Sequence, residues 1–150
     1  MEREAKKQVF IEHKYQEQFK DQFSQYKNII DNIEIPEEDC TGAVMMGVCR
    51  GKLSEGIDFS DDAARCVIMV GIPYPQMNDP NVILKKHYLD SQKPGSGQLW
   101  YNQESCRSVN QSIGRVIRHI NDYGIIVLAD ERFAWSANQK DLPGWVRQSL

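Results

Sequence analysis

The sequence has no long apolar run and no large excess of charge of either sign. None of its apolar stretches reaches the roughly 18 residues of a membrane-spanning helix, and its charged start lacks the apolar segment of a signal peptide. Its 18 basic and 21 acidic residues give a formal net charge of -3. This balance excludes a polycation that binds nucleic acid by bulk charge, so any such contact must come from a local patch.

The chain has four cysteines, and their spacing is not that of a metal site. The four cysteines include no C-x-x-C pair, so we expect no metal site built from this chain alone. Cys49 and Cys66 lie in apolar runs, which predicts buried thiols of a reducing compartment. The length of 150 residues, with 41% hydrophobic side chains, predicts one domain over residues 1–150.

Apolar strands alternate with helices along the chain. Strands are predicted at residues 8–12, 43–49, 66–71 and 124–129, and the last three lack polar alternation, which is typical of strands buried on both faces. Helices are predicted at residues 15–33, from a cap at Asp79 to about 90, from about 100 to 119, and as an amphipathic tail at 142–150. This order predicts an α/β fold, a mostly parallel sheet with helices on both faces.

A polar loop with two glycines follows the second predicted strand, at residues 50–59. It is not a phosphate-binding P-loop, because only three residues separate Gly47 from Gly51 and Leu53 follows the lysine where that motif has Ser or Thr. Backbone amides beside glycine suit a phosphate backbone, and Glu55 or Asp58 suits a ribose hydroxyl or a metal-bound water. An ordinary polar surface loop explains the spacing equally well.

A second polar feature lies on the predicted helix that ends at residue 119. At helical spacing Gln111, Arg115 and Arg118 share one face, and Gly114 lies on its flank, where another group could pack closely. The opposite face is predicted to be buried and consists of Val109, Ile113, Val116 and Ile120. Arginine forks match phosphate oxygens, so the polar stripe favours an anion site over a merely solvated face.

The fourth predicted strand ends in Asp130 and Glu131, as strands that hold magnesium in nucleotide hydrolases do. The chain has no P-loop to complete such a site. Pairing of one of these acids with Arg132, or capping of the next turn, is therefore the favoured interpretation.

Together these segments resemble the second RecA-like domain of superfamily 2 helicases, in the iron–sulfur DEAH-type branch that includes XPD. Residues 51–59 are similar to helicase motif V, and residues 111–118 to the Q-x-x-G-R-x-x-R of motif VI. Residues 48–52, 109–111 and 116–119 are most similar to the regulator of telomere elongation and Fanconi group J helicases. The resemblance covers about residues 7–150 but lacks motif IV, so we expect a helicase fragment or an N-terminally truncated product.

The resemblance implies a 5′-to-3′ DNA helicase driven by ATP hydrolysis, which acts in DNA repair and genome maintenance. Its implied location is the nucleus in a eukaryote and the cytoplasm otherwise. ATP and Mg²⁺ would bind between two RecA-like domains. The first of them would supply the P-loop, the magnesium ligands and the iron–sulfur cluster, so we expect the isolated chain to be inactive. The implied partners are that first domain and DNA, both single strands and junctions. The alternative is a non-catalytic module that binds DNA or a protein partner.

The resemblance also implies roles for individual residues. Those implied for catalysis are Gln111, Arg115 and Arg118, and Arg118 would be the arginine finger that meets the γ-phosphate. Those implied for nucleotide binding and its coupling to DNA are Glu55, Gly56, Asp58 and Gly114. Those implied for contact with single-stranded DNA are Arg50, Lys52 and Ser54.

Overall fold

A computed structural model describes residues 6–31, 40–53, 57, 59 and 61–150. The strands and helices follow one another there in the order β1 (Lys6–Ile11), α1 (Gln16–Ile30), β2 (Cys40–Met46), β3 (Cys66–Val70), α2 (Pro80–Gln92), α3 (Ser96–Ile113), β4 (Ile125–Ala129), α4 (Ser136–Gln139) and α5 (Gly144–Arg147). One 3₁₀ turn precedes β3 at Asp61–Ala63, and another follows β4 at Glu131–Ala134. These helices and parallel strands are consistent with the predicted α/β class.

The described strands form two parallel pairs rather than the single sheet predicted. β1 pairs with β2, and β3 pairs with β4. Ile11 lies opposite Met46 in the first pair, and Val70 lies opposite Ala129 in the second. Parallel pairing brings the carboxyl ends of both strands of a pair to one edge. The loop after β2 therefore begins beside Glu12, whose N–H donates to the carbonyl of Met46 at 2.7 Å.

Side chains of the strands alternate between a covered and an exposed face. In the second pair Ile68 is 59% exposed, Val70 83% and Ile125 63%. The prediction of strands buried on both faces is wrong for the described residues. Successive side chains of a strand point to opposite faces, and the helices that contact the strands here, α1 on β2 and α3 on β3, leave the other face open. For the same reason the Cys66 thiol is exposed, whereas Cys49 is partly buried.

Two clusters of buried side chains stabilise this arrangement. One lies around α1 and the first pair of strands and contains Phe10, Tyr26, Ile29 and Phe59. The other joins β3, α3 and α5 and contains Met69, Val109, Ile113, Phe133, Leu142 and Val146. Val109 and Ile113 are almost inaccessible to solvent. Full burial of one aliphatic side chain of this size stabilises a fold by about 1.5–3 kcal/mol.

The helix boundaries agree with the sequence where a cap defines them. Asp79 caps α2, since its carboxylate accepts the N–H of Asn81 at 2.7 Å and Pro80 occupies the first turn. α1 ends at Ile30 rather than at 33, and residues 32–39 lie outside the described ranges. The largest difference is in α3, which starts at Ser96 and stops at Ile113 instead of running from about 100 to 119. No helix in the described ranges is long and apolar enough to cross a membrane.

Candidate functional site

The loop that follows β2 is built around the carboxylate of Glu12. Oε1 of Glu12 accepts the backbone N–H of Lys52 at 2.8 Å, and Oε2 accepts that of Val48 at 3.2 Å. A Cβ atom on either Gly47 or Gly51 would lie 2.6 Å from a carboxylate oxygen of Glu12. The close approach of this side chain therefore requires both glycines. No role for Glu12 was predicted from the sequence. The feature that indicates one is its position directly after β1, the strand that pairs with β2.

The two cations of this loop are held by other parts of the chain. Arg50 has a left-handed φ of 67°, and its Nη2 donates to the backbone carbonyl of Glu104 in α3 at 2.9 Å. Nζ of Lys52 donates to the carbonyl of His13 at 3.0 Å and to that of Lys14. A DNA phosphate at this loop would have to share both cations with these carbonyls.

The polar stripe predicted on α3 is interrupted, because the helix ends at Gly114. The N–H of Arg115 donates to the carbonyl of Ser112 at 3.2 Å, and that of Val116 to the carbonyl of Ile113 at 3.1 Å. Such bonds to the third residue back tighten a terminal turn. Glycine favours the end here, since it costs about 1 kcal/mol relative to alanine inside a helix. Gln111 thus lies on the last turn, and Arg115 and Arg118 follow it.

The apolar face of the predicted helix is mostly confirmed. Val109, Ile113 and Val116 are buried, with exposed fractions of 1%, 0% and 4%. Ile120 is 98% exposed, so its predicted burial is wrong. Because the chain has left the helix before residue 120, helical spacing no longer decides which way that side chain points.

Arg115 connects the two segments that contain the predicted site residues, residues 50–59 and 111–118. Its Nη1 donates to the backbone carbonyl of Ile57 at 3.0 Å. Ile57 lies within the loop at residues 50–59, whereas Arg115 follows the last turn of α3. The remaining predicted residues of that loop lie outside the described part of the chain: Ser54, Glu55, Gly56 and Asp58.

Gln111 and Arg118 are both exposed but line different depressions of the surface. Arg118 borders an open cavity of about 590 Å³ that is also lined by Ile126 and Trp145. Gln111 borders another of about 590 Å³, beside Arg107 and Asp141. The chain therefore does not assemble the three predicted catalytic side chains into one pocket. Gly114 contacts Arg118, because its carbonyl accepts Nη1 of that arginine at 3.4 Å.

The backbone after Arg118 is fixed by two residues that the site prediction missed, Arg65 and Asp122. Oδ2 of Asp122 accepts the backbone N–H of Arg118 at 3.0 Å, and Oδ1 accepts Nη1 of Arg65 at 2.7 Å. The Arg118 hydrogen bond, together with that of Arg65, lowers the pKa of Asp122. The sequence feature that indicates Asp122 is the Asp-Tyr-Gly segment at residues 122–124, which also resembles that helicase branch.

Asp130 pairs with Arg132, as the sequence favoured. Oδ1 accepts the backbone N–H and Nε of Arg132 at 2.9 and 2.8 Å, and Oδ2 accepts its Nη2 at 2.6 Å. The side-chain bonds, followed by the backbone bond, lower the pKa of Asp130 to about 2. Its oxygens are thus engaged in a cap and an ion pair rather than turned toward a metal.

One group of potential metal ligands occurs in the described ranges. Donor atoms of Asp61, His119 and Asp122 lie within 4.8 Å of one another. The guanidinium of Arg65 shares the carboxylate of Asp122, and a fixed positive charge at that distance disfavours a cation. These residues do not fit the magnesium ion that nucleotide hydrolysis requires.

Comparison with known proteins identifies the family of this chain. Residues 1–149 match the helicase C-terminal domain. The chain belongs to this helicase family. It is 45% identical over 97% of its length to the regulator of telomere elongation helicase 1 homologs of Drosophila ananassae and Drosophila melanogaster. The homolog of Drosophila grimshawi is 43% identical over the same share of the chain.

This helicase segment spans a small part of those relatives. It covers 14% of the length of the Drosophila ananassae protein and 15% of the other two. The resemblance to the telomere-elongation subgroup is thereby confirmed for the segment itself.

Proposed function

We propose that this chain is the second RecA-like domain, the C-terminal motor half, of an ATP-dependent 5′-to-3′ DNA helicase, and that residues 1–150 form one domain. Membership of the helicase C-terminal domain family supports this proposal. Parallel strands alternating with helices, in the order observed, are compatible with a RecA-like fold.

The observation that carries the proposal is the hydrogen bond from Arg115 to the carbonyl of Ile57. It joins the segment that resembles motif VI to the segment that resembles motif V. A motor must convert nucleotide hydrolysis at one segment into movement of DNA at another. A direct bond between the two segments supplies a physical route for that coupling.

In this proposal the nucleotide lies between this domain and a first RecA-like domain. Arg118 and Gln111 are exposed, as residues that face a second domain must be. Arg118 acts as the arginine finger on the γ-phosphate, and Gln111 positions the nucleotide or the attacking water. An arginine finger elsewhere accelerates phosphoryl transfer by about 10³–10⁵. The P-loop, the Mg²⁺ ligands and the iron–sulfur cluster belong to the first domain and its surroundings.

The loop after β2 is the proposed contact with single-stranded DNA. Arg50, Lys52 and Ser54 would face the phosphate backbone. The residues proposed to complete the nucleotide site and couple it to DNA are Glu55, Gly56, Asp58 and Gly114.

The names of the relatives suggest the biological setting. They are called regulators of telomere elongation, a process that takes place on nuclear DNA. We therefore propose a nuclear helicase of genome maintenance, with single-stranded DNA and DNA junctions as partners.

A chimera tests this function. Our chain would replace the matching segment of the Drosophila melanogaster relative, and the unmodified relative would be the reference. We expect the chimera to unwind DNA and to hydrolyse ATP faster with single-stranded DNA, whereas the isolated chain should show no ATPase above background. A folded chimera without DNA-stimulated ATPase, beside an active reference, would favour the non-catalytic binding module instead.

A further inference from the structure

Arg118 lies beyond the last turn of α3, so the helix does not set its position. Its backbone N–H donates to Oδ2 of Asp122, four residues further along the chain, at 3.0 Å. The N–H of Asp122 donates in turn to the carbonyl of His119 at 3.0 Å. Residues 118–122 are thus closed into a turn by one carboxylate.

The carboxylate that holds Arg118 is itself held firmly. The side chain of Asp122 is only 1% exposed, and its Oδ1 accepts Nη1 of Arg65 at 2.7 Å. The same Nη1 donates to the carbonyl of Tyr123 at 3.0 Å, and the guanidinium lies 4.1 Å from the centre of the Tyr123 ring. A buried carboxylate with these partners has little freedom to change its place.

The Arg65–Asp122 pair connects Arg118 to the starts of the paired strands β3 and β4. Arg65 directly precedes β3, and its carbonyl accepts the N–H of Ile125, the first residue of β4, at 2.9 Å. The two strands therefore start beside the pair. Through Asp122 and Arg65, the main chain of Arg118 is therefore anchored to the starts of β3 and β4 rather than to a loop.

We propose that Asp122 is a positioning residue, which fixes the main chain of Arg118 against the paired starts of β3 and β4 so that its guanidinium reaches the nucleotide from a set place. This inference rests on the proposed role of Arg118 as arginine finger. A donor aimed at charge that develops in the transition state is effective when it is held in place before the reaction. Asp122 contributes by holding the arginine, while the arginine meets the nucleotide.

The isosteric change Asp122→Asn in the chimera tests the proposal, with Asp62→Asn as the matched control. Asp62 is the other carboxylate on Arg65, at 2.7 Å, and its side chain is 86% exposed. We expect Asp122→Asn to lower kcat for ATP about tenfold while KM changes less than about twofold, the pattern of a lost transition-state interaction. Asp62→Asn should leave kcat within about twofold of the unmodified chimera.

A double-mutant cycle separates this inference from the function on which it rests. If Asp122 acts through Arg118, Asp122→Asn should have no further effect on kcat in an Arg118→Ala background. Normal kcat for Arg118→Ala alone would refute the arginine finger. A low kcat for Arg118→Ala, combined with a normal kcat for Asp122→Asn or with independent losses in the double variant, would refute the positioning role and leave the finger intact.

Hydrogen exchange in the isolated chain provides a second readout that does not depend on turnover. Asp122→Asn should accelerate exchange of the Arg118 amide about tenfold or more, while core amides such as that of Ile113 keep their protection. Loss of protection throughout the chain, or loss of a cooperative unfolding transition, would instead make Asp122 a residue of general stability and overturn the proposal.

Discussion

Arg115 reaches across the domain to the backbone of Ile57, with its Nη1 3.0 Å from that carbonyl oxygen. The two residues are 58 positions apart in the chain. The bond holds the loop after β2 against the segment that follows α3. The side chain of Arg115, which the resemblance implied for catalysis, thus donates to the protein's own backbone and links the two segments that resemble motifs V and VI.

Replacing Arg115 with alanine should weaken that link. We expect Arg115→Ala to lower the free energy of unfolding of the isolated chain by about 1.5–3 kcal/mol, the range for a hydrogen bond that involves a charged group. In the chimera it should reduce stimulation of the ATPase by single-stranded DNA more than it reduces the ATPase without DNA. Urea unfolding and paired ATPase assays measure the two effects. Equal losses with and without DNA would contradict a coupling role.

Arg118 is expected to matter for turnover rather than for folding. Arg118→Ala in the chimera should lower kcat about 10²-fold or more, with little change in ATP affinity, because the finger stabilises the transition state more than the ground state. Arg118→Lys should restore little, since an ammonium cannot reproduce the planar fork. The exposed Arg147 in α5 provides the control, and Arg147→Ala should leave kcat unchanged. A preserved kcat with a lowered thermal midpoint for Arg118→Ala would assign this residue to stability.

Lys52 is expected to contribute locally to DNA binding. Lys52→Ala in the chimera should weaken binding of single-stranded DNA while nucleotide affinity stays nearly constant. Loss of one phosphate contact should also reduce the slope of log affinity against log salt concentration by about 0.7. Lys93→Ala, on the turn between α2 and α3, is the matched control for removing one exposed lysine. An unchanged salt slope for Lys52→Ala would show that its ammonium serves only the carbonyls of His13 and Lys14.

The pair of Asp130 and Arg132 predicts a dependence of stability on pH. The bonds from Arg132 hold the pKa of Asp130 at about 2, below its ordinary value of 3.8. A lowered folded-state pKa stabilises the fold fully above the ordinary value, and that stabilisation is lost as the pH falls from about 4 through 2. Asp130→Asn should therefore lower the thermal midpoint near pH 7, and the difference from the unmodified chain should shrink toward pH 2. Glu131→Gln, at the exposed neighbour, should have little effect on the midpoint, and a pH-independent difference for Asp130→Asn would contradict the pairing.

Much of the fold followed from local patterns. Apolar runs located the four described strands to within a few residues, because a short apolar run bounded by turn residues is typical of a strand. The caps at Asp79 and Asp130 were also local, since a carboxylate reaches backbone N–H groups two residues away. The identity of the segments that resemble motifs V and VI was likewise contained in short stretches of sequence.

The end of α3 could not be predicted in this way. Apolar spacing continues past Gly114 through Val116, so periodicity favours a longer helix. Glycine weakens the helix by only about 1 kcal/mol, which packing can override. In the structure the N–H of Arg118 does not continue the helix but donates to the carboxylate of Asp122, which also accepts Nη1 of Arg65, 57 residues away along the chain.

The sequence alone determined the strands, the capped turns and the family, because each depends on residues that are neighbours along the chain. Tertiary structure decided which face of each strand is covered, that Glu12 organises the loop after β2, and that Arg115 and Asp122 hold the segments around the proposed site. These contacts join residues about 35 to 60 positions apart. Hydrogen bonds between such distant residues form only where tertiary structure brings their segments together. Parallel pairing of strands does this for the bonds of Glu12 and of Arg65 with Asp122, whereas the bond of Arg115 requires the end of α3 to lie beside the loop after β2.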